Sequence, residues 1–249
     1  MSEVIAVVSH KGGTGKTSLV QNLAYEYGKS DPSSVLVVDF DPQSNLTAGS
    51  GLIPQDLNYT VFHGINQPKE CEKGIVSGPY YDILPANLDL AIADQRFAGD
   101  KDRNDKLGKA LSTISSRYRL IFIDSPPNLS FFAFNTLTAA NQVIIPLQCQ
   151  PYAYQAIDST MKLVELVQEK NPNLSLKSIV LTMYDKRLSL SKSLKDITRR
   201  RFKTQVAKTV IPINVSIPEA ILDHAPVGVY APRSTGARAY KGLAKELKL

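Results

Sequence analysis

Ten consecutive residues near the start of the chain combine what a polyphosphate site needs: Ser9-His10-Lys11-Gly12-Gly13-Thr14-Gly15-Lys16-Thr17-Ser18. Glycines allow successive backbone N–H groups to curl round an anion. A lysine reaches the outer phosphates, and a hydroxyl side chain takes magnesium. Gly12, Gly13 and Gly15, with Thr14 among them, serve the first need; Lys16 serves the second, and Thr17, next to Ser18, the third. A helix starting at Lys16 adds the positive end of its dipole to the same anion. Where such loops usually begin with glycine this chain has His10, and a second lysine, Lys11, follows it. A full positive charge beside a polyphosphate is favourable, so Lys11 is expected to face phosphate.

Three aspartates stand where ligands gather in an α/β protein. Asp39 ends the apolar run Val35-Leu36-Val37-Val38, Asp41 follows in Phe40-Asp41-Pro42-Gln43, and Asp124 ends Leu120-Ile121-Phe122-Ile123. One such aspartate is usually a turn or cap residue. Three beside a phosphate loop point to a metal-assisted reaction. Magnesium prefers oxygen ligands and keeps waters, so Asp39 and Asp124 are placed with Thr17 in the metal's surroundings. Asp41 is placed to orient an attacking water, and the reaction is phosphoryl transfer to water by positioning and charge neutralisation. Elsewhere the chemistry is sparse. His10, His63 and His224 are scattered and are expected to be structural or exposed. Cys71 and Cys149 sit in no C-x-x-C or C-x-x-H spacing, which argues against zinc, an iron–sulfur cluster or a disulfide framework and fits a reducing compartment.

Strands must deliver these residues to a common edge. Apolar runs without alternation at 4–8, 35–39, 120–124, 142–146, 178–183 and 209–211 predict buried strands. Helical patterns at 16–27, 106–116, 130–140, 154–169 and 191–202 lie between them, and a last helix starts near the cap Ser234. This succession predicts an α/β fold: a doubly wound, mostly parallel sheet flanked by helices, with ligands at the carboxyl ends of the strands. One domain over 1–249 is expected. Residues 46–101, with one short strand at 81–84, form an insertion covering the sheet edge.

The chain has 249 residues, 43% of them hydrophobic, ample for a full core. Its 29 Lys+Arg against 23 Asp+Glu give +6, a mild lean towards polyanions. No run approaches the roughly 20 apolar residues of a membrane span, and a soluble, cytoplasmic protein is expected.

The sequence resembles the ParA/Soj family of partition ATPases, within the deviant Walker A P-loop group that also holds MinD. The residues that carry this are the loop from Lys11 to Thr17, Asp39-Phe40-Asp41-Pro42-Gln43, Asp124-Ser125-Pro126-Pro127, and Ile145-Pro146-Leu147-Gln148-Cys149-Gln150 with Tyr152-Ala153. Leu181-Thr182-Met183-Tyr184-Asp185, Val210-Ile211-Pro212-Ile213-Asn214, Glu219-Ala220 and the segment from Ser234 to Tyr240 continue it in the same order. The resemblance implies ATP and Mg2+ as cofactors and a homodimer formed on ATP binding. It makes Lys11, Lys16 and Asp41 the catalytic set, Lys11 reaching across the dimer to the partner's ATP. Thr182, Met183, Pro212 and Asn214 match the adenine-side loops.

It further implies non-specific binding to double-stranded DNA, release through hydrolysis stimulated by a ParB-like centromere-binding protein, and residence on the nucleoid. Many relatives carry DNA-contacting arginines where this chain has Ile213 and Ser216, so the DNA face is expected upstream, on Arg199, Arg200, Arg201 and Lys203. Lys186-Arg187 lies nearby, with Arg233 and Arg238 as weaker candidates; such contacts are salt-sensitive and sequence-independent. The chain opens directly on the first predicted strand, so an N-terminal operator-binding element is not expected. The competing functions are a MinD-like membrane positioning ATPase, an ATP-dependent amidating or carboxylating synthetase, and a binding protein with a structural ATP site. No membrane partner is expected, because no amphipathic anchor follows the last helix.

Overall fold

The computed structural model describes residues 2–128, 130–151 and 153–249. Tyr152, one of the residues carrying the resemblance, lies outside the described residues. The strands are β1 (Glu3–Val7), β2 (Val35–Asp39), β3 (Val76–Ser77), β4 (Asp82–Leu84), β5 (Leu120–Asp124), β6 (Gln142–Gln148) and β7 (Ser175–Thr182). The helices in the first half are α1 (Lys16–Gly28), α2 (Asn45–Gly49), α3 (Val61–Asn66), α4 (Ala93–Arg96), α5 (Lys106–Ser112) and α6 (Phe131–Ala139). Those in the second half are α7 (Ala153–Gln168), α8 (Ser189–Phe202), α9 (Ser216–Leu222), α10 (Val227–Tyr230) and α11 (Thr235–Leu247).

The strands form one sheet in the order β3-β4-β2-β5-β1-β6-β7, parallel throughout except for β3. Successive side chains of a strand point to opposite faces, and both faces here are covered. Val4, Ala6, Leu36, Val38, Ile121 and Ile123 pack on one side with α5, α6 and α7. Ile5, Val7, Val35, Val37 and Phe122 pack on the other with α1, α9 and α11. That double burial explains strands written as unbroken apolar runs. In register, Val7 and Asp39 both flank Asp124, so β1, β2 and β5 end together and release their loops at one edge.

Residues 46–101 supply β3 and β4 beside β2. They also bury Val61, Ile65, Leu90 and Phe97 in the first core. Ser234 caps α11 as expected, its hydroxyl accepting the Ala237 N–H at 3.0 Å. The strand expected at 209–211 is corrected: isolated bridges flank the stretch, Val206 with Ile179 and Pro212 with Tyr184, and within it the Ile211 amide makes a single bond to the Leu181 carbonyl of β7 at 2.8 Å. The amides of Lys208 and Thr209 instead donate to the Glu246 carboxylate on α11 at 2.6 and 2.9 Å. Amides spent on a side chain cannot continue a ladder. The strand expected to end at 183 stops at Thr182, because Met183 turns into the left-handed region at φ 49°. No helix of the described residues is long and apolar enough to cross a membrane.

Candidate nucleotide site

The loop between β1 and α1 sits at the sheet edge where Asp39 and Asp124 emerge. Gly13 and Gly15 hold φ of 70° and 86°, and no heavy atom lies within 4 Å of where their Cβ would be. Glycine is needed there for backbone conformation rather than for space. Gly15 is the N-cap of α1, so the first-turn amides of that helix face the loop. The Thr182 hydroxyl at the end of β7 donates to the Thr14 carbonyl at 2.9 Å and ties the loop to the sheet.

Lys16 is 7% exposed, and its ammonium lies 3.4 Å from the Lys11 carbonyl. Burial lowers its pKa, opposed by the charges of Asp124 and Asp41. A buried cation of this kind is best satisfied by an anion. Lys11 differs: its ammonium is exposed and donates to Gln150 Oε1 at 2.8 Å. One lysine lies under the cavity and one stands beside it.

The Thr17 hydroxyl donates to Asp124 Oδ2 at 2.6 Å. Asp124 is 2% exposed, and its second oxygen, Oδ1, is buried without a hydrogen-bond partner. Burial, followed by the charge of Asp39, pushes this carboxyl up to about 8. A hydroxyl beside an unsatisfied buried carboxylate oxygen is a donor set that fits magnesium. Among the described residues no three His, Cys, Asp or Glu side chains converge on one point, as suits an ion that retains most of its waters.

Asp39 is corrected from metal ligand to structural anchor. Its Oδ2 accepts from the Thr47 amide at 2.8 Å and the Thr47 hydroxyl at 2.7 Å, while Oδ1 accepts from the Asp41 amide at 3.2 Å. Burial still raises its pKa to about 6. Both oxygens are therefore committed to holding the 41–47 segment. Asp41 is half-buried, accepts the Gln43 amide at 2.9 Å and lines the same cavity as the loop.

That cavity measures about 560 Å3 and runs from Gly12–Ser18 past Asp41 to Met183, Leu222 and His224. Gly12, Gly13, Thr14, Gly15, Lys16, Thr17 and Ser18 all border it. A second, more apolar pocket of about 270 Å3 shares Gly15, Ser18 and Met183 with it. Thr182, Met183, Pro212 and Asn214, distant in sequence, meet around this pocket with Ile211 and Tyr240. Its size and lining suit a flat base. The Asn214 side chain is employed by the protein itself, donating to the Thr235 hydroxyl at the start of α11 at 2.8 Å and accepting the Ser216 amide at 3.0 Å.

The basic run ending α8 borders neither pocket. Arg201, expected to contact DNA, is paired with Asp158 at 2.6 Å, its guanidinium 4.9 Å from the Phe202 ring centroid. Arg199 donates to the Lys208 carbonyl at 3.0 Å. Arg200 and Lys203 are exposed. A different basic set, Lys186, Arg187 and Arg238, lines an open cavity of about 610 Å3 that shares Pro212 and Ile213 with the base pocket.

Sequence reasoning missed Thr47 and Leu222, and gave Gln150 and His224 no role at the site. None stands in a spacing that announces a role, and each arrives through the fold of a separate segment.

The chain matches the family model described as AAA domain over residues 2–177. It is 36% identical to the sporulation initiation inhibitor protein Soj of Bacillus subtilis (strain 168), across 99% of this chain and 98% of that protein. The chain belongs to the ParA/Soj family. Its fold is that of the P-loop members: cobyrinic acid a,c-diamide synthase from Mycobacterium smegmatis, solved with bound ADP and magnesium, superposes with a TM-score of 0.87. That structure is 30% identical, with 100% of this chain and 94% of that one covered. The cell division ATPase MinD of Pyrococcus furiosus gives a TM-score of 0.80 at 25% identity, covering 100% of this chain and 99% of that one.

Proposed function

We propose that this chain is an ATP-driven DNA-partition protein. The observation that carries the proposal is the division of labour between two lysines of one loop, Lys16 buried beneath the cavity and Lys11 half-buried beside it with its ammonium on Gln150. A single nucleotide site needs one of them; the other is of use when a second subunit brings its own nucleotide against this face. ATP enters with its phosphates on Gly12–Ser18 and its base against Met183 and Pro212. Thr17 and Asp124 would hold magnesium, which would supply charge neutralisation for phosphoryl transfer. Asp41 orients the attacking water, and Lys11 completes the partner's site, so the homodimer forms on ATP.

DNA is bound by its phosphates, without sequence preference, on Lys186, Arg187 and Arg238, which line one open cavity, with Arg187 also paired to Asp185 there. A ParB-like partner stimulates hydrolysis and release, and the protein resides on the nucleoid in the cytoplasm. Partition is preferred to amide synthesis because Soj, at 36%, is more similar in sequence than the diamide synthase at 30%.

The test is binding to random duplex DNA with ATP, ADP or no nucleotide, at two salt concentrations. ATP-dependent binding that weakens with salt is expected. The double change Arg187→Ala and Arg238→Ala should weaken it more than Arg199→Ala with Arg200→Ala. DNA binding in no nucleotide state, together with ATP-dependent sedimentation on liposomes, would replace the reading with a membrane positioning ATPase.

A further inference from the structure

The turn between α9 and α10 carries His224 in the left-handed region, at φ 53°. Side chains adopt that conformation at a cost, and histidine is among the few residues enriched in it. The ring is seated against the end of α2. Its Nδ1 lies 2.9 Å from the Ala48 carbonyl oxygen, and the ring's root packs against Gly51, whose φ of 84° suits glycine. A carbonyl oxygen only accepts, so Nδ1 carries the proton. In the neutral ring Nε2 is then an acceptor. His224 is exposed, its Nδ1 engaged by Ala48, and it lines the phosphate cavity, so Nε2 is open to a donor there.

The groups of a nucleotide divide naturally over this surface. Phosphate oxygens accept, and the donors facing them are Lys16 and the loop amides. The base takes the apolar pocket. What remains is the pair of sugar hydroxyls, which donate; the sugar links base to phosphates and so belongs between the two pockets, which share Gly15, Ser18 and Met183, with His224 on the wall of the larger one. Asp41, the carboxylate on the same cavity, already has Oδ1 engaged by the Gln43 amide. We infer that His224 Nε2 accepts a hydrogen bond from a ribose hydroxyl, making His224 a specificity residue that selects ribonucleotides over deoxyribonucleotides. This rests on the nucleotide site proposed above.

The experiment measures Kd for ATP, 2′-deoxy-ATP and 3′-deoxy-ATP with magnesium, in the full chain and in His224→Gly. Glycine suits the left-handed backbone, so the variant retains the turn. The unaltered chain should bind one deoxy analogue about threefold to tenfold more weakly than ATP, the range of one net hydrogen bond. His224→Gly should bind all three with that weaker affinity. Equal affinities in the unaltered chain, or discrimination that survives in His224→Gly, would overturn the inference. So would a uniform loss for all three nucleotides from an undiscriminating parent, which would place the ring on phosphate. Lys16→Ala marks the other failure: if the unaltered chain binds no better than Lys16→Ala, the nucleotide reading itself falls.

Discussion

The two walls of the nucleotide cavity reach similar backbone shapes by different means. The wall formed by residues 9–18 is one unbroken segment, and its left-handed positions are glycines, Gly13 and Gly15. The opposite wall is assembled from α2, the end of β7 and the turn after α9, and its left-handed positions carry side chains, Met183 and His224. Glycine adopts this conformation without the Cβ penalty. A side chain kept there must be held by its neighbours: the Gln148 amide donates to Met183 Sδ at 2.8 Å, and Ala48 holds His224. The first wall is built to let a backbone wrap an anion; the second presents side chains to whatever the anion is attached to.

Lys16→Ala tests that contrast most severely. Removing a buried charged donor should weaken ATP binding about tenfold to a hundredfold. Leu222→Ala on the other wall, where the side chain is 82% exposed, should change it by no more than about twofold. Comparable losses in a calorimetric titration would break the distinction between a wall that binds and a wall that selects.

A smaller effect sharpens the correction at Asp39. Thr47→Val removes the hydroxyl that donates to Asp39 and accepts the Ala86 amide at 2.9 Å. Two buried groups lose a partner, at a cost of about 1–3 kcal/mol, read as a lower melting temperature. The magnesium dependence of ATP binding should stay unchanged. A shifted magnesium requirement with unaltered stability would return Asp39 to the metal.

The smallest effect lies beyond the second wall, at the surface. Arg187 donates to both oxygens of Asp185, and this holds the carboxyl at about 2. The folded value is depressed, so the pair's contribution is present above the ordinary carboxylate value of about 4 and is lost as pH falls through about 2. In Arg187→Ala the Asp185 titration followed by NMR should move up towards the ordinary range, the amide of residue 187 still donating to Oδ1. A midpoint that stays near 2 would show that another group holds the carboxylate and that Arg187 is less committed than its geometry indicates.

The legible parts of this protein are those whose physics is local. The loop's glycines, lysines and hydroxyl lie next to one another, and the strands beneath it are written as continuous apolar runs because both faces are buried. Thr17 and Asp124 were identified separately for the same metal, and the parallel register of β1 and β5 brings them to 2.6 Å. The 209–211 stretch misled because its apolar residues resemble a strand while its amide partner, Glu246, waits on α11, 37 residues from Thr209. Asp39 misled because an aspartate ending a strand looks alike whether it faces a metal or a threonine eight residues on.

By itself the sequence determined the phosphate loop, the parallel sheet and the family, since spacing within a segment encodes turn, helix start and burial. Tertiary structure alone decided which carboxylate remained free, which arginines stayed unpaired and that His224 would face the cavity. Those outcomes depend on hydrogen bonds between segments far apart in the chain, and no local pattern of residue types records which donor will meet which acceptor.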